Sequence, residues 1–453
     1  MIIAVRLDTS IRGRGYRLIP LPKPAPEIPI RGWLSKQFTW VFAAFVLLLL
    51  AVGLYFKTPK TSATSGIAES GALLNPLEVK DYVKRANAYL DRHQQADNAL
   101  AIQLLERALE LEPDHFQANI SLSLGLTQSV TKFDAPFQRL IQSQALAQSL
   151  IEQYPERYEA WIAYAASLDG QGAVASAIEA YEQALVLNSD HTGAKASVAY
   201  LYMLHGELIK ALKFNLEALE APGNLHYINL QIARTLSLLG FDSAAEPWLQ
   251  RTDELQPDNV FASEARAHFL MINGRLDDAV TVINDALERG VQRSGLWNQL
   301  GLISLIRNQH EDAKSYFSQS IEADQYNDSA RIWLLLLPGQ QHLMNQTEFE
   351  TQVNQIRATI EAGIYWPAIY LNLANLQIAH GQYERAIDTL ELLYPLGFRD
   401  HRQLVLWPSF RPILAHPRFQ SIIAQIQRDL AQQRDQILRA DWVPRNLLTA
   451  PLE

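Results

Sequence analysis

The sequence predicts an all-α chain, a solenoid of stacked helical hairpins preceded by a single transmembrane helix. Two observations lead there. A 34-residue periodicity runs through most of the 453 residues, and a 19-residue stretch near the N-terminus carries no charge. Composition agrees: 48% of residues are hydrophobic, enough to build a sizeable core. With only 21 Gly and 21 Pro, the chain is neither collagen-like nor a Pro-rich disordered polymer. It has no cysteine, which excludes disulfide scaffolds, thiolate metal sites and cysteine nucleophiles.

Charge is unevenly distributed. Residues 1–60 hold nine Lys/Arg against two acids, leaving 30 basic and 46 acidic residues of the totals of 39 and 48. A basic head therefore precedes an acidic body. The acidic body does not suit nucleic acid, because phosphate contacts need clustered Lys and Arg.

The elements follow in order. Residues 1–37 read as a basic cytoplasmic tail. Phe38 to Phe56, FTWVFAAFVLLLLAVGLYF, are predicted to span a membrane: at 1.5 Å per residue they reach about 28 Å, close to the hydrocarbon thickness of a bilayer. Trp40 and Tyr55 stand near the two ends, where amphipathic rings favour the interface. A buried core helix would leave a polar stripe, and there is none. A cleaved signal peptide is the rival reading, but the charged head is long and the following KTPKTSATSG offers a poor cleavage site. Because the Lys/Arg excess precedes the span, the N-terminus is expected in the cytoplasm of a bacterium and residues after 57 in the periplasm. Residues 57–77, rich in Ser, Thr, Gly and Ala, read as a flexible linker.

Residues 78–400 carry the repeat. Windows start at Tyr158, Thr192, His226, Val260 and Ser294. The twentieth position is Ala177, Ala211, Ala245, Ala279 and Ala313. The eighth is Ala165, Ala199, Ala233, Ala267 and Gly301, and the twenty-seventh Ala184, Ala218, Thr252, Ala286 and Ser320. Small residues there let two helices approach, while Tyr181, Asn215, Leu249, Ile283 and Phe317 at position twenty-four fill the remaining space. Gly206, Gly240 and Gly274 at position fifteen suit a left-handed turn between the helices. One hairpin cannot bury its own apolar face, so hairpins stack. The same register extends to 82–115, to 116–157 with an insertion near Thr127 to Pro136, to a degenerate 328–366, and to 367–400. Residues 401–453 read as C-terminal capping helices and tail, with a last helix beginning after Pro417. Essentially no strand is expected.

This pattern resembles the tetratricopeptide repeat (TPR), a fold that implies protein or peptide binding on the first helices of the hairpins. In that geometry positions two, five, nine, twelve and thirteen of the first helix line a groove. Tyr200, Tyr227, Arg234, Phe261, Glu264, His268 and Asn298 are the candidate groove residues. Arg234 and Glu264 are expected to approach each other, leaving His268 able to respond to mild acid. The alternative is that Tyr200 and Tyr227 merely fill the inner wall. The Lys/Asn clamp that some such proteins use for C-terminal carboxylates is absent, since position five is Ile162, Ala196, Leu230, Glu264 and Asn298.

Leu7 to Leu18, LDTSIRGRGYRL, resembles the last hairpin of OmpR/PhoB-type winged-helix DNA-binding domains. The resemblance implies that Arg12, Arg14 and Arg17 would lie near phosphate and that Tyr16 would pack on the domain. A winged helix, one membrane helix and a periplasmic TPR region is the layout of CadC/ToxR-like regulators. The segment that would hold the recognition helix is missing, so specific operator binding by this chain is not expected; a simple basic anchor is the alternative. An envelope scaffold with no link to transcription is the rival function.

No motif for chemistry appears. There is no P-loop, no H-E-x-x-H and no G-x-S-x-G, and the histidines are spread about one per repeat. No enzyme activity, metal or cofactor is expected, and the sequence leaves homo-oligomerisation open.

Overall fold

The computed structural model describes residues 6–9, 16–19 and 76–449, except 93, 134, 221–225, 256–259, 291–292, 325–327, 341–343 and 362–365. The segment 38–56 predicted to span a membrane lies outside the described residues. Among the described residues, no helix is long and apolar enough to cross one.

Two short strands depart from the strand-free expectation. β1 (Arg6–Thr9) and β2 (Tyr16–Ile19) pair antiparallel, with Arg6 opposite Ile19 and Thr9 opposite Tyr16. The hairpin places Tyr16 and Arg17 in β2; Arg12 and Arg14 lie outside the described residues.

The rest is helical. Pro76–Leu90 pairs with Gln95–Leu111, Phe116–Phe133 with Gln138–Gln153, and Tyr158–Gln171 with Val174–Leu187. Thr192–Leu204 packs on Leu208–Leu219, His226–Leu238 on Asp242–Leu255, Val260–Ile272 on Leu276–Glu288, and Ser294–Ile306 on His310–Ala323. Asp328–Leu335 packs on His310–Ala323 and on Pro367–Ala379, Gln346–Glu361 packs on Pro367–Ala379, and Pro367–Ala379 pairs with Tyr383–Glu391. A short helix His401–Leu406, a 3-10 turn Pro408–Ile413 and the long helix Pro417–Arg439 complete the body before Arg445–Thr449. The insertion near Thr127 is absorbed by running the Phe116–Phe133 helix to 18 residues.

The small positions are the contact points between helices. Ala177, Ala211, Ala245, Ala279 and Ala313 are fully buried. Small and large residues compensate across each hairpin. In the window from Ser294, a Cβ on Gly301 would stand 2.5 Å from the Phe317 ring, so glycine at position eight makes room for phenylalanine at position twenty-four. The turn between paired helices is a Schellman close. Gly206, Gly240 and Gly274 have φ of 79°, 74° and 75°, and the next residue's N–H returns to the preceding helix, as Phe241 N does to Leu236 O at 2.9 Å.

The C-terminal segment does more than cap the last pair. Rings run in contact from the repeats into it: Phe317 stacks on Trp333, Trp333 meets Trp407 edge-on at 5.1 Å, and Trp407 stacks on Phe410. Residues 397–434 then bond back to the turns of the windows from 192 and 226. Arg402 forks onto Asp242 at 2.9 and 3.0 Å and donates to Ser237 O at 2.7 Å. Arg434 donates to Leu239 O at 3.0 Å and lies over the Phe241 ring. The helical body therefore closes on its own middle.

Candidate functional site

Where the returning segment meets the first helices of three successive windows, a cavity of about 290 Å³ remains. One side is Tyr200 and Met203, then Arg234 and Leu238, then His268 and Phe269, with Tyr200, Arg234 and His268 one repeat apart. The other side is Trp366 to Leu371 and Gly397 to Gln403. Helical spacing explains the first side: Tyr200, Arg234 and His268 all stand at position nine, and Met203 and Leu238, at twelve and thirteen, lie on the same face of a 3.6-residue helix. The second side is held in place by a close approach. Gly397 has φ 99°, and a Cβ there would stand 2.3 Å from the His205 carbonyl carbon. Only glycine lets the two backbones meet.

Of the seven groove candidates, the structure brings Tyr200, Arg234 and His268 to this cavity. Tyr200 is buried, so it fills the inner wall. Tyr227 is half-buried and packs against the core. Phe261 is on the surface, with the Arg293 guanidinium 4.3 Å from its ring centre. Asn298 is half-buried, with its amide oxygen enclosed.

The expected approach of Arg234 to Glu264 does not occur. Glu264 pairs with Arg293 at 3.2 Å, both side chains largely buried. Arg293 precedes the helix Ser294–Ile306, next to the Glu264 helix, and Gly295 leaves the space that the Glu264 carboxylate fills. Arg234 is exposed and forms no ion pair among the described residues.

His268 is likewise not left alone, as had been expected. Its Nε2 meets Asp400 Oδ2 at 2.8 Å. Asp400 also accepts from the Gln403 N–H at 3.2 Å, capping the helix His401–Leu406. Burial by itself would raise the Asp400 carboxyl. The His268 bond and charge, the Arg402 charge and the Gln403 N–H outweigh burial and hold it below the usual carboxylate range. Arg399 is occupied too: it bonds Asp429 at 2.5 Å and the carbonyls of Tyr394 and Phe398.

Sequence reasoning missed Trp366, Arg399, Asp400, Arg402 and Gln403. They sit outside the in-register windows or in a turn, so no periodic signal marks them. Their charge density, R-D-H-R at 399–402, was the one available hint. Among the described residues, no three His, Asp or Glu side chains gather as metal ligands. The cavity can bind and select by charge and shape.

Residues 139–192 and 294–327 each match the tetratricopeptide repeat family. Comparison with curated proteins returns no match. Among solved structures, the chain is similar to a tetratricopeptide repeat protein from Parabacteroides merdae, at 17% identity over 57% of this chain and 98% of that one, with a TM-score of 0.45. It is similar to the type IV pilus biogenesis factor PilW at 19% identity, 48% and 97% coverage and a TM-score of 0.41. For the APC/C hetero-tetramer Cut9–Hcn1 the values are 15%, 91% and 82%, and 0.43. With two stretches matched to the family, the chain carries tetratricopeptide repeats.

Proposed function

We propose that this protein is anchored in a bacterial inner membrane by residues 38–56 and holds a protein or peptide partner on its repeats in the periplasm. The observation that carries the reading is the pairing of an uncharged 19-residue run, preceded by a basic head, with a helical repeat body. The partner surface is the row of first-helix side chains beyond the returning C-terminal segment. Ile162 and Tyr227 are half-buried there, and Phe261 is exposed with its ring stacked by Arg293. Aromatic rings and arginine are the side chains that most often anchor partners.

Two arrangements fit this reading. The antiparallel pairing of Arg6–Thr9 with Tyr16–Ile19 favours the sensor part of a CadC/ToxR-like regulator, because a wing is such a hairpin. An envelope scaffold needs no role for that hairpin.

Topology is tested with reporters active only in the periplasm. A fusion after Glu453 is expected to be active and one at Gln37 silent; the reverse would overturn the orientation. Partner binding is tested by crosslinking in intact cells, comparing wild type with Tyr227→Ala/Phe261→Ala at equal abundance. An unchanged crosslinking pattern would place the partner surface elsewhere.

A further inference from the structure

The geometry points to a small-molecule site that is distinct from any macromolecular partner surface: the cavity between Arg234 and Trp366 takes a small organic carboxylate with an apolar body. Its volume of about 290 Å³ lies at the lower end of small-ligand sites. Met203, Leu238, Phe269, Trp366 and Leu371 supply apolar wall. The segments 366–371 and 397–403 lie across the first-helix wall, so an extended peptide cannot run along it from repeat to repeat.

The polar lining decides the charge of the occupant. Asp400 already accepts from His268 and from the Gln403 N–H. Ser237 is bonded to Arg402 and Asp242. Arg399 is paired with Asp429 and also bonds two carbonyls, so its charge is already met. An ammonium ligand would have to share a carboxylate that His268 and the Gln403 N–H already engage. Arg234 differs: it lines the cavity, is exposed at its mouth, and forms no ion pair among the described residues. A guanidinium fork matches a carboxylate with two parallel bonds. An apolar body would then enter against Trp366 and Phe269 while its acid group stays at the mouth.

The test uses the full chain in lipid nanodiscs, with empty nanodiscs as blank, and calorimetric titration of 4-phenylbutyrate and 2-naphthylacetate beside their primary amides. Both acids are expected to bind, with the amides roughly fivefold weaker, the scale of an exposed ion pair. Arg234→Gln should bring the acids down to the amide level, and Arg234→Lys should restore part of the preference. Ala368→Trp, at an exposed position of the lining, should block acids and amides alike. Ala265→Phe blocks from the opposite wall and serves if the first variant loses helical content. Equal affinity for acid and amide, or an acid preference that survives Arg234→Gln, would overturn the proposal. So would undiminished binding by a folded blocking variant, or no binding by either acid at millimolar concentration.

Discussion

Gln433 straddles the turn at Gly206. Its amide nitrogen donates to the Gly206 carbonyl at 2.9 Å, and its amide oxygen accepts the Leu208 N–H at 2.8 Å. The two residues are 227 positions apart, and both bonds are buried. A primary amide donates from its nitrogen and accepts at its oxygen, so one side chain can meet a carbonyl and an N–H at once. Gln433→Ala is expected to cost about 1–3 kcal/mol, because it strands a buried N–H and a carbonyl. Gln433→Glu should cost more: it loses the donor and sets a carboxylate beside Asp429, which Gln433 bonds at 3.0 Å. Denaturant melts of both variants check this, and a smaller loss for Glu than for Ala would contradict it.

Gly397 and Gly274 separate conformation from packing. Both have positive φ, 99° and 75°, but a Cβ at Gly274 meets nothing, while one at Gly397 meets the His205 backbone. Gly274→Ala is expected to lose only the left-handed preference, about 1–2 kcal/mol. Gly397→Ala should lose that and also push the returning segment off the middle repeats. Limited proteolysis is the readout: new cleavage within residues 397–440 is expected for Gly397→Ala and not for Gly274→Ala.

The repeat register predicts which alanines resist enlargement. Ala177 and Ala279 are fully buried between helices. Leucine at either is expected to overpack the contact and cost about 1–3 kcal/mol. Gln425 lies on the exposed face of the helix Pro417–Arg439, and Gln425→Ala should stay within about 0.5 kcal/mol. Urea melts with equal midpoints for all three would refute the register.

His191 ties one repeat to pH. Its Nδ1 accepts the Ala194 N–H at 3.0 Å, capping the helix Thr192–Leu204, and it can do so only when unprotonated. Burial holds the imidazole below its ordinary value, outweighing the upward pulls of its own backbone contact and of Glu159. The unfolded chain therefore takes up the proton at higher pH than the folded one. The stabilisation is complete above the unfolded value of about 6.5 and is lost as pH falls below it. His191→Asn keeps a good cap without the titration. Protection of the Ala194 amide from hydrogen exchange should fall between pH 8 and pH 5 in wild type, by up to about 1 kcal/mol, and stay level in the variant.

Much of the body was readable because its causes are local. Each hairpin is set by residues within one 34-residue window: alanines where helices touch, a bulky partner at position twenty-four, a glycine at fifteen. Repetition averages away the exceptions. The structure adds the reason for Gly301 at position eight: Phe317 needs the space that an alanine methyl would take. The strand-free expectation failed at the two strands near the N-terminus because four-residue strands carry little periodic signal, although the run Leu7 to Leu18 resembles a hairpin in sequence.

The site was legible only on one side. First-helix spacing alone picks out Tyr200, Arg234 and His268, because a helix presents every third or fourth residue on the same face. It could not say that Glu264 would turn to Arg293, or that Asp400 would take His268. The first outcome depends on Arg293 in the connection ahead of the next window, and the second on a segment that leaves the repeat pattern near residue 400 and returns to bond residues 160 to 227 positions earlier. Arg402, Gln433 and Arg434 look like ordinary solvated polar residues in the sequence. Many of their partners are backbone carbonyls and a turn N–H, which every sequence has and none advertises, and the Asp242 carboxylate that Arg402 meets lies 160 positions away. Local spacing thus determined the hairpins and one wall of the cavity. Closure of the chain on itself, through polar groups that find partners only when distant turns meet, decided the other wall, while the Glu264–Arg293 pair inside the repeats left Arg234 without an ion-pair partner among the described residues.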